Sequence, residues 1–161
     1  MTDPIFTLSS NNPLNLNPIS SDRPFATFAD IDNDLDAFVG EYDGNTYFYE
    51  NTGTASNPVF SDPETNPFGL SDVGFHAYPT FVDIDGDGDL DAFVGGSGYG
   101  SHGIQFFENT GTASSPVFVA APPTAIWGSS PAPIFVDIDD DGDFDAFVGD
   151  KYDMRFWENT G

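Results

Sequence analysis

The chain has no cysteine and only three basic residues among its 161 residues. The absence of cysteine excludes disulfide bonds and thiolate metal sites. Against the three basic residues stand 27 acidic ones, which give a formal net charge of −24. This charge argues against nucleic acid or an anionic membrane surface as a partner, because both carry dense negative charge.

Long apolar runs are also missing. No segment approaches the roughly 20 apolar residues that a membrane-spanning helix needs, so we expect no membrane insertion. The N-terminal segment MTDPIFTLSS lacks the basic start and the apolar core of a signal peptide.

Aromatic residues, in contrast, are abundant. The 17 Phe, 6 Tyr and 2 Trp supply apolar surface for a single domain with a packed core, and they argue against disorder.

The sequence repeats itself three times. FADIDNDLDAFVG (28–40), FVDIDGDGDLDAFVG (81–95) and FVDIDDDGDFDAFVG (135–149) are each followed by a short aromatic segment that ends in ENTG. The last Asp of the acidic run recurs at positions 36, 91 and 145, at intervals of 55 and 54 residues. A period this long, with several short strands in each unit, is typical of β-propeller blades.

Each repeat contains apolar, β-branched or aromatic segments separated by turns rich in Gly, Asn, Pro and Ser, which predicts four antiparallel strands. No segment shows a sustained 3.6-residue apolar period, so we expect almost no helix. The predicted fold class is all-β, a single half-propeller domain over residues 1–161 made of three four-stranded blades. The blades are expected at approximately 25–62, 78–120 and 132–161.

The third repeat stops before its outer strand. The outer-strand segments NPVF and SPVF of the first two repeats resemble DPIF at the N-terminus, which contains Pro4–Phe6. We therefore expect residues 4–8 to supply the outer strand of a third blade, as propellers often close by mixing strands from both chain ends.

The acidic runs of the second and third repeats have the spacing of a calcium-binding loop. Carboxylates stand at positions 1, 3, 5 and 9, with Gly at position 6, where the chain reverses, and a backbone carbonyl at position 7. Calcium takes about 6–8 oxygen ligands. A thiophilic metal is not expected, because the sequence has no Cys and no clustered His to bind one. Position 12 is a valine within a strand, which excludes an EF-hand. The alternative is an acidic turn that is solvated and holds no ion. The candidate metal ligands are Asp83, Asp85, Asp87, Asp89, Asp91, Asp137, Asp139, Asp141, Asp143 and Asp145.

The acidic loop of the first repeat is two residues shorter. It lacks equivalents of Gly86 and Asp87, and Asn33 stands where Gly88 is found in the second repeat. Asn is the next best residue after Gly for a left-handed backbone conformation. We expect a weak or empty metal site here, whose candidate ligands are Asp30, Asp32, Asp34 and Asp36.

The motif DIDGDGDLDAFVG followed by FFENTGT resembles the bacterial FG-GAP/VCBS-type repeats, which are related to the propeller of integrin α-subunits. The resemblance implies a β-propeller in which the loop between the first two strands of a blade holds calcium as a structural ion. It also implies an extracellular or cell-surface location, with the main ligand surface on the face opposite the metal loops.

Three blades cannot close a ring, and an open arc would leave two apolar blade faces in water. A homodimer would supply six blades, and twofold dimers are the commonest oligomers. We therefore expect a homodimeric six-bladed propeller. The alternative is a fragment of a longer array.

The residue pattern favours a non-catalytic binding or adhesion scaffold over an enzyme. His76 and His102 lie in different loops, and nothing assembles a nucleophile, a base and an orienting acid. The recurring ENTG stands at a strand end before a turn, so we expect its Asn to cap the turn and its Gly to take a positive φ. The alternative is a calcium-dependent lectin that binds sugars on the face opposite the metal loops, where Tyr42, Tyr99 and Tyr152 are expected. Trp127 and Phe75, on the same face, are expected to cover the rim of the core.

Overall fold

The structure is a computed structural model, which describes residues 14, 16, 23–98, 101–122 and 125–161, with only the backbone given at 101 and 102. The outer strand expected at residues 4–8 lies outside the described residues. The strands are β1 Phe25–Asp30, β2 Leu35–Gly40, β3 Thr46–Tyr49, β4 Glu64–Thr65, β5 Tyr78–Val82, β6 Asp91–Gly98, β7 Ser101–Asn109, β8 Phe118–Ala120, β9 Ala132–Val136, β10 Asp145–Gly149 and β11 Met154–Trp157.

The strands form three antiparallel sheets, one for each sequence repeat. The first has the order β1-β2-β3-β4, the second β5-β6-β7-β8, and the third β11-β10-β9. Strands that are consecutive in the chain pair with each other, so each sheet is a meander. The predicted all-β class and the three blade-like sheets are confirmed. The near-absence of helix is confirmed too, since the described residues contain a single 3-10 turn, Pro67–Gly69.

The outer strand of the first sheet begins later than the sequence predicts. The NPVF segment contributes only an isolated bridge between Phe60 and Asn51, and β4 follows at Glu64–Thr65. Pro63 lies between them and has no N–H to donate to a ladder, which accounts for the interruption. In the second sheet the equivalent segment continues directly into β8 at Phe118.

Neighbouring sheets pack face to face through phenylalanine pairs. Phe38 of the first sheet lies against Phe81 of the second, with ring centroids 4.3 Å apart. Phe93 of the second sheet contacts Phe135 of the third in the same way, at 4.4 Å. Apolar clusters surround both pairs, so the core lies within and between the sheets rather than at one centre.

Candidate metal sites

Three acidic loops lie at one end of the sheets, each joining the first strand of a sheet to the second. They connect β1 to β2, β5 to β6 and β9 to β10. The turns that follow β3 and β7 lie at the same end, because antiparallel strands alternate in direction. The ENTG segments of the sequence therefore lie beside the acidic loops.

In the second and third loops the predicted ligands at positions 1, 3 and 5 come together. Each residue of a triad offers a carboxylate oxygen that lies within 4.8 Å of the others. All the donors are carboxylate oxygens, which suit a hard cation such as calcium. The two triads are Asp83, Asp85 and Asp87, and Asp137, Asp139 and Asp141.

The first Asp of each loop also folds the loop. The Asp83 carboxylate accepts hydrogen bonds from the backbone N–H groups of Gly86 at 2.8 Å and Gly88 at 3.1 Å. In the third loop Asp137 accepts from Asp140 at 2.7 Å and Gly142 at 3.1 Å. These bonds hold the backbone curled, so the carboxylates of the triad converge.

The chain reverses at the position that the sequence predicts. Gly88 has a φ of 97° and Gly142 a φ of 99°, both in the left-handed region. Asn33 takes the same place in the shorter first loop, with a φ of 91°. The prediction that Asn replaces Gly there for its left-handed backbone is confirmed.

The first loop also brings three carboxylates together, but from different positions. Its triad is Asp32, Asp34 and Asp36. Asp30, the first acid of the run, lies outside this triad and accepts a hydrogen bond from the backbone N–H of Asn33 at 2.7 Å. The donor set thus differs from that of the longer loops, and a weak or empty site remains the prediction for this loop.

Two carboxylate oxygens in these loops are buried and have no hydrogen-bond partner: Oδ1 of Asp34 and Oδ1 of Asp89. An unpaired buried carboxylate oxygen is costly, and a bound cation satisfies it. Burial, followed by repulsion from Asp87, Asp85 and Asp83, raises the pKa of Asp89 above its usual value. The second loop therefore suits a cation in chemistry as well as in spacing. The first loop offers one such oxygen too, but Asp30, its first acid, lies outside the triad.

The last Asp of each run connects the acidic loop to the ENTG segment. The buried carboxylates of Asp36 and Asp91 accept hydrogen bonds from the backbone N–H groups of Asn51 at 2.6 Å and Asn109 at 2.7 Å. Burial is the main cause that raises the pKa of both carboxyl groups to about 6. Sequence reasoning missed this connection, although the acidic run and ENTG recur together in every repeat.

The Asn of ENTG holds the following turn, as the sequence predicts. The side-chain oxygen of Asn51 accepts hydrogen bonds from the backbone N–H groups of Gly53 at 3.1 Å and Val59 at 3.0 Å. The expected positive φ at the Gly of this motif is wrong for Gly53, which is not among the positive-φ residues. Gly is needed there because a Cβ would lie 2.4 Å from the backbone oxygen of Asn57.

The opposite end of the sheets carries aromatic side chains. His76 stacks nearly parallel to Tyr78, and Tyr42 lies edge-on to His76 at 4.8 Å. Trp127 does not cover the core rim as expected, because 59% of it is exposed and the Arg155 guanidinium lies 4.4 Å from its ring centroid. Phe75 is also half exposed. Tyr99 and the side chain of His102 lie outside the described residues.

The family model of the FG-GAP-like repeat matches residues 30–94 and 83–148. The chain belongs to the FG-GAP-like repeat family. Each match begins at the first Asp of one acidic loop and ends in the strand after the next loop. The FG-GAP-like unit thus coincides with the spacing of the candidate metal loops.

Searches of curated proteins and of solved structures find no match to the chain. No helix in the described part of the chain is long and apolar enough to cross a membrane.

Proposed function

We propose that this FG-GAP-like repeat chain is a non-catalytic scaffold for binding or adhesion, stabilised by calcium and located outside the cell or on its surface. The observation that carries the proposal is the carboxylate triad in the second loop together with the unpaired, buried Oδ1 of Asp89. A loop that serves only as a solvated turn has no reason to bury such an oxygen.

Calcium is the cation that best suits the donor set. The second loop offers five carboxylates from Asp83 to Asp91, and calcium accepts such oxygen-rich, flexible surroundings more readily than magnesium does. When bound, calcium would neutralise carboxylates that otherwise repel one another. Asp83, Asp85 and Asp87 would hold it in the second loop, and Asp137, Asp139 and Asp141 in the third.

The chain's own residues supply the rest of the stabilising effect. Asp91 accepts the hydrogen bond of the Asn109 backbone N–H, and Asn109 in turn accepts hydrogen bonds from Gly111 at 3.0 Å and Val117 at 2.9 Å. The acidic loop, the end of β7 and the start of the outer strand are therefore connected. Ordering the loop with an ion would stabilise the metal end of the whole blade.

Calorimetric titration with calcium tests this proposal. We expect binding at the second and third loops, and a loss of about one site when Asp85→Asn or Asp139→Asn removes a charged ligand. Asp62→Asn is the matched control, because Asp62 is exposed and lies outside the acidic loops. Absence of calcium binding by the wild-type chain would contradict the proposal.

A calcium-dependent lectin is the second candidate. The observation that favours it is a depression of about 480 Å³ at the end opposite the metal loops, lined by His76, Tyr78, Arg23 and Lys151 among other residues. Aromatic rings among polar groups suit stacking on sugar rings. A glycan array probed with and without calcium separates the two candidates, since a scaffold for protein contacts would bind no glycan.

Closure of the blades into a ring belongs to the same proposal. We infer a homodimer in which two chains supply six blades, because propellers typically close with about 4–8 blades and the described residues of one chain form three. Such a ring would present both chains' binding faces on one side.

A further inference from the structure

The three sheets stack in a fixed direction, so each has two distinct faces. We call the face toward the following sheet the front face; in the first sheet it contains Ala29, Phe38 and Phe48. The face toward the preceding sheet is the rear face; in the second sheet it contains Phe81 and Leu90, which pack against that same cluster. We call the contact between two neighbouring sheets a junction. Both junctions within the chain join a front face to a rear face.

The two junctions inside the chain have the same geometry. The Phe38 and Phe81 rings are tilted by 47° at 4.3 Å, and the Phe93 and Phe135 rings by 42° at 4.4 Å. In sequence, each pair joins the Phe of DAFVG in one repeat to the Phe that opens the next repeat. The junction is thus a repeated interface with a defined pair of anchors.

A glycine at each junction lets the next repeat pass close by. A Cβ on Gly40 would lie 2.2 Å from the backbone oxygen of Ala77, and a Cβ on Gly95 would lie 1.7 Å from that of Pro131. Real Cβ atoms do not approach so closely, so only Gly is compatible with either junction. Ala77 and Pro131 stand at equivalent positions, just before the first strand of their sheets.

The third sheet has an uncovered front face. Val136 is 38% exposed, whereas its equivalent Val82 in the second sheet is 7% exposed. Phe156 is 48% exposed, whereas its equivalent Phe48 in the first sheet is 7% exposed. Phe147, the equivalent of Phe38 and Phe93, lies on this face beside Phe156 at 4.9 Å. The third sheet therefore has the front-face Phe of a junction, but no described sheet packs against it.

The first sheet has the complementary rear face. Phe28, the equivalent of Phe81 and Phe135, is 51% exposed, and Leu35, the equivalent of Leu90, is 57% exposed. Leu14 precedes this sheet as Phe68 precedes the second, both in an Asn-Pro-apolar motif. Phe68 contacts Phe48 across its junction, whereas Leu14 is 36% exposed.

The glycine of the third repeat has no close neighbour among the described residues, whereas the glycines of the other two repeats have one. A Cβ on Gly149, the equivalent of Gly40 and Gly95, would meet no described atom within 4 Å. The residue equivalent to Ala77 and Pro131 at the start of the chain is Pro24, which is exposed. The third sheet thus has space at Gly149 among the described residues, and the first sheet has the exposed Pro24, whose backbone could fill such a space.

We propose that the front face of the third sheet docks onto the rear face of the first sheet in a second copy of this chain. In this junction Phe147 contacts Phe28 of the second copy, and Gly149 receives the backbone at Pro24. The second copy is the occupant because the exposed faces of the first and third sheets carry the two halves of the junction that is found twice within the chain. The inference rests on the proposed function, whose dimeric ring it specifies as head-to-tail, with two equivalent junctions.

Gly149→Ala is the sharpest test. Gly149 is not among the positive-φ residues, and its added methyl meets no described atom within 4 Å in the single chain, so the chain itself should fold normally. In the proposed junction the methyl would clash with backbone. Light scattering in calcium should give twice the 17.3 kDa chain mass for the wild type and the single-chain mass for the variant. Gly103→Ala, where a Cβ makes an ordinary 3.6 Å contact with Ile126, is the control and should stay dimeric.

A mixing experiment tests the head-to-tail arrangement. Phe28→Asp damages only the rear face and Phe147→Asp only the front face, so each variant alone has two damaged junctions and should be monomeric. Mixed in equal amounts, the two variants can form one junction with both anchors intact, and dimers should reappear. Val119→Asp is the matched control, because Val119 is half exposed on the outermost strand of the middle sheet, and this variant should remain dimeric without mixing.

A wild-type chain that stays monomeric in calcium would overturn the proposal, as would a Gly149→Ala variant that is fully dimeric. Masses well above two chains would overturn the two-copy ring. Failure of the mixed variants to associate would overturn the front-to-rear arrangement. Calcium titration of the monomeric variants keeps this outcome apart from the proposed function: retained binding with no dimer would reject only the junction, whereas lost binding in the wild type would reject the calcium scaffold itself.

Discussion

Asp91 and Asn109 are joined by a buried hydrogen bond, in which the Asp91 carboxylate accepts from the Asn109 backbone N–H at 2.7 Å. The same contact joins Asp36 to Asn51 and, in the third repeat, the equivalent pair at 2.8 Å. In the first two repeats the connection places a carboxylate with a disfavoured charge beside the acidic loop, because burial raises the pKa of Asp36 and of Asp91. The metal loop and the folding of the blade are coupled through this residue.

Asp91→Asn should have opposite effects with and without calcium. The amide keeps an oxygen that can accept the Asn109 hydrogen bond, and it removes a charge whose burial raises the pKa of Asp91 to about 6. The melting temperature in chelator should therefore rise, while calcium affinity should fall because a candidate ligand loses its charge. Thermal unfolding and calorimetry measure the two effects.

Asp91→Ala provides the comparison. It leaves the buried Asn109 N–H without its acceptor, which costs about 1–3 kcal/mol, so the melting temperature should fall with or without calcium. If Asp91→Asn also destabilised the calcium-free chain, the inferred cost of the buried charge would be wrong.

The calcium-free chain should lose stability as the pH rises from about 4 to about 7. Folding raises the pKa of Asp36 and Asp91 from 3.8 to about 6, so the folded state holds protons that the unfolded state has released. The stabilising contribution is fully present below 3.8 and is lost as the pH rises through about 6. Urea unfolding in chelator across this range measures the trend.

The double variant Asp36→Asn with Asp91→Asn isolates these two groups, because other carboxyl groups titrate in the same range. Its stability should fall less than that of the wild type over the same pH interval. Equal slopes for the two proteins would show that these carboxyl groups are not the source. Saturating calcium should oppose the wild-type trend, because calcium binds deprotonated carboxylates.

The three acidic loops should differ in calcium affinity. Asp87→Ala or Asp141→Ala removes a triad ligand from a long loop and should weaken calcium binding by about tenfold or more, equivalent to about 1.4 kcal/mol. Asp34→Ala, in the shorter first loop, should change the total binding much less. Calorimetry that finds three equal sites in one chain would contradict the predicted weakness of the first loop.

Much of the fold follows from the repeats alone. The acidic run, DAFVG and ENTG recur at a fixed spacing, and local patterns of this kind predicted the strands, the left-handed backbone at Asn33 and the convergence of the long-loop triads. These features depend on residues close to one another in the chain, so the sequence specifies them directly.

The features that sequence reasoning missed depend on contacts between segments. The Asp91 to Asn109 bond joins the start of one strand to the end of the next, across 18 residues of chain. The late start of β4 follows from Pro63, which has no N–H to donate to the neighbouring strand. The sequence alone did not show which residues of that strand lie opposite Pro63. Spacing along the chain shows that such residues recur, but not what they contact.

Thermal unfolding in chelator, in calcium and in magnesium tests the calcium scaffold most directly. A ligand that binds only the folded state adds about 2.7 kcal/mol at a hundred times its Kd, and the second and third loops each supply a triad for such a ligand. We predict that calcium raises the melting temperature by several degrees over chelator and that magnesium does not reproduce the effect. Identical melting temperatures in chelator and in saturating calcium would contradict the account.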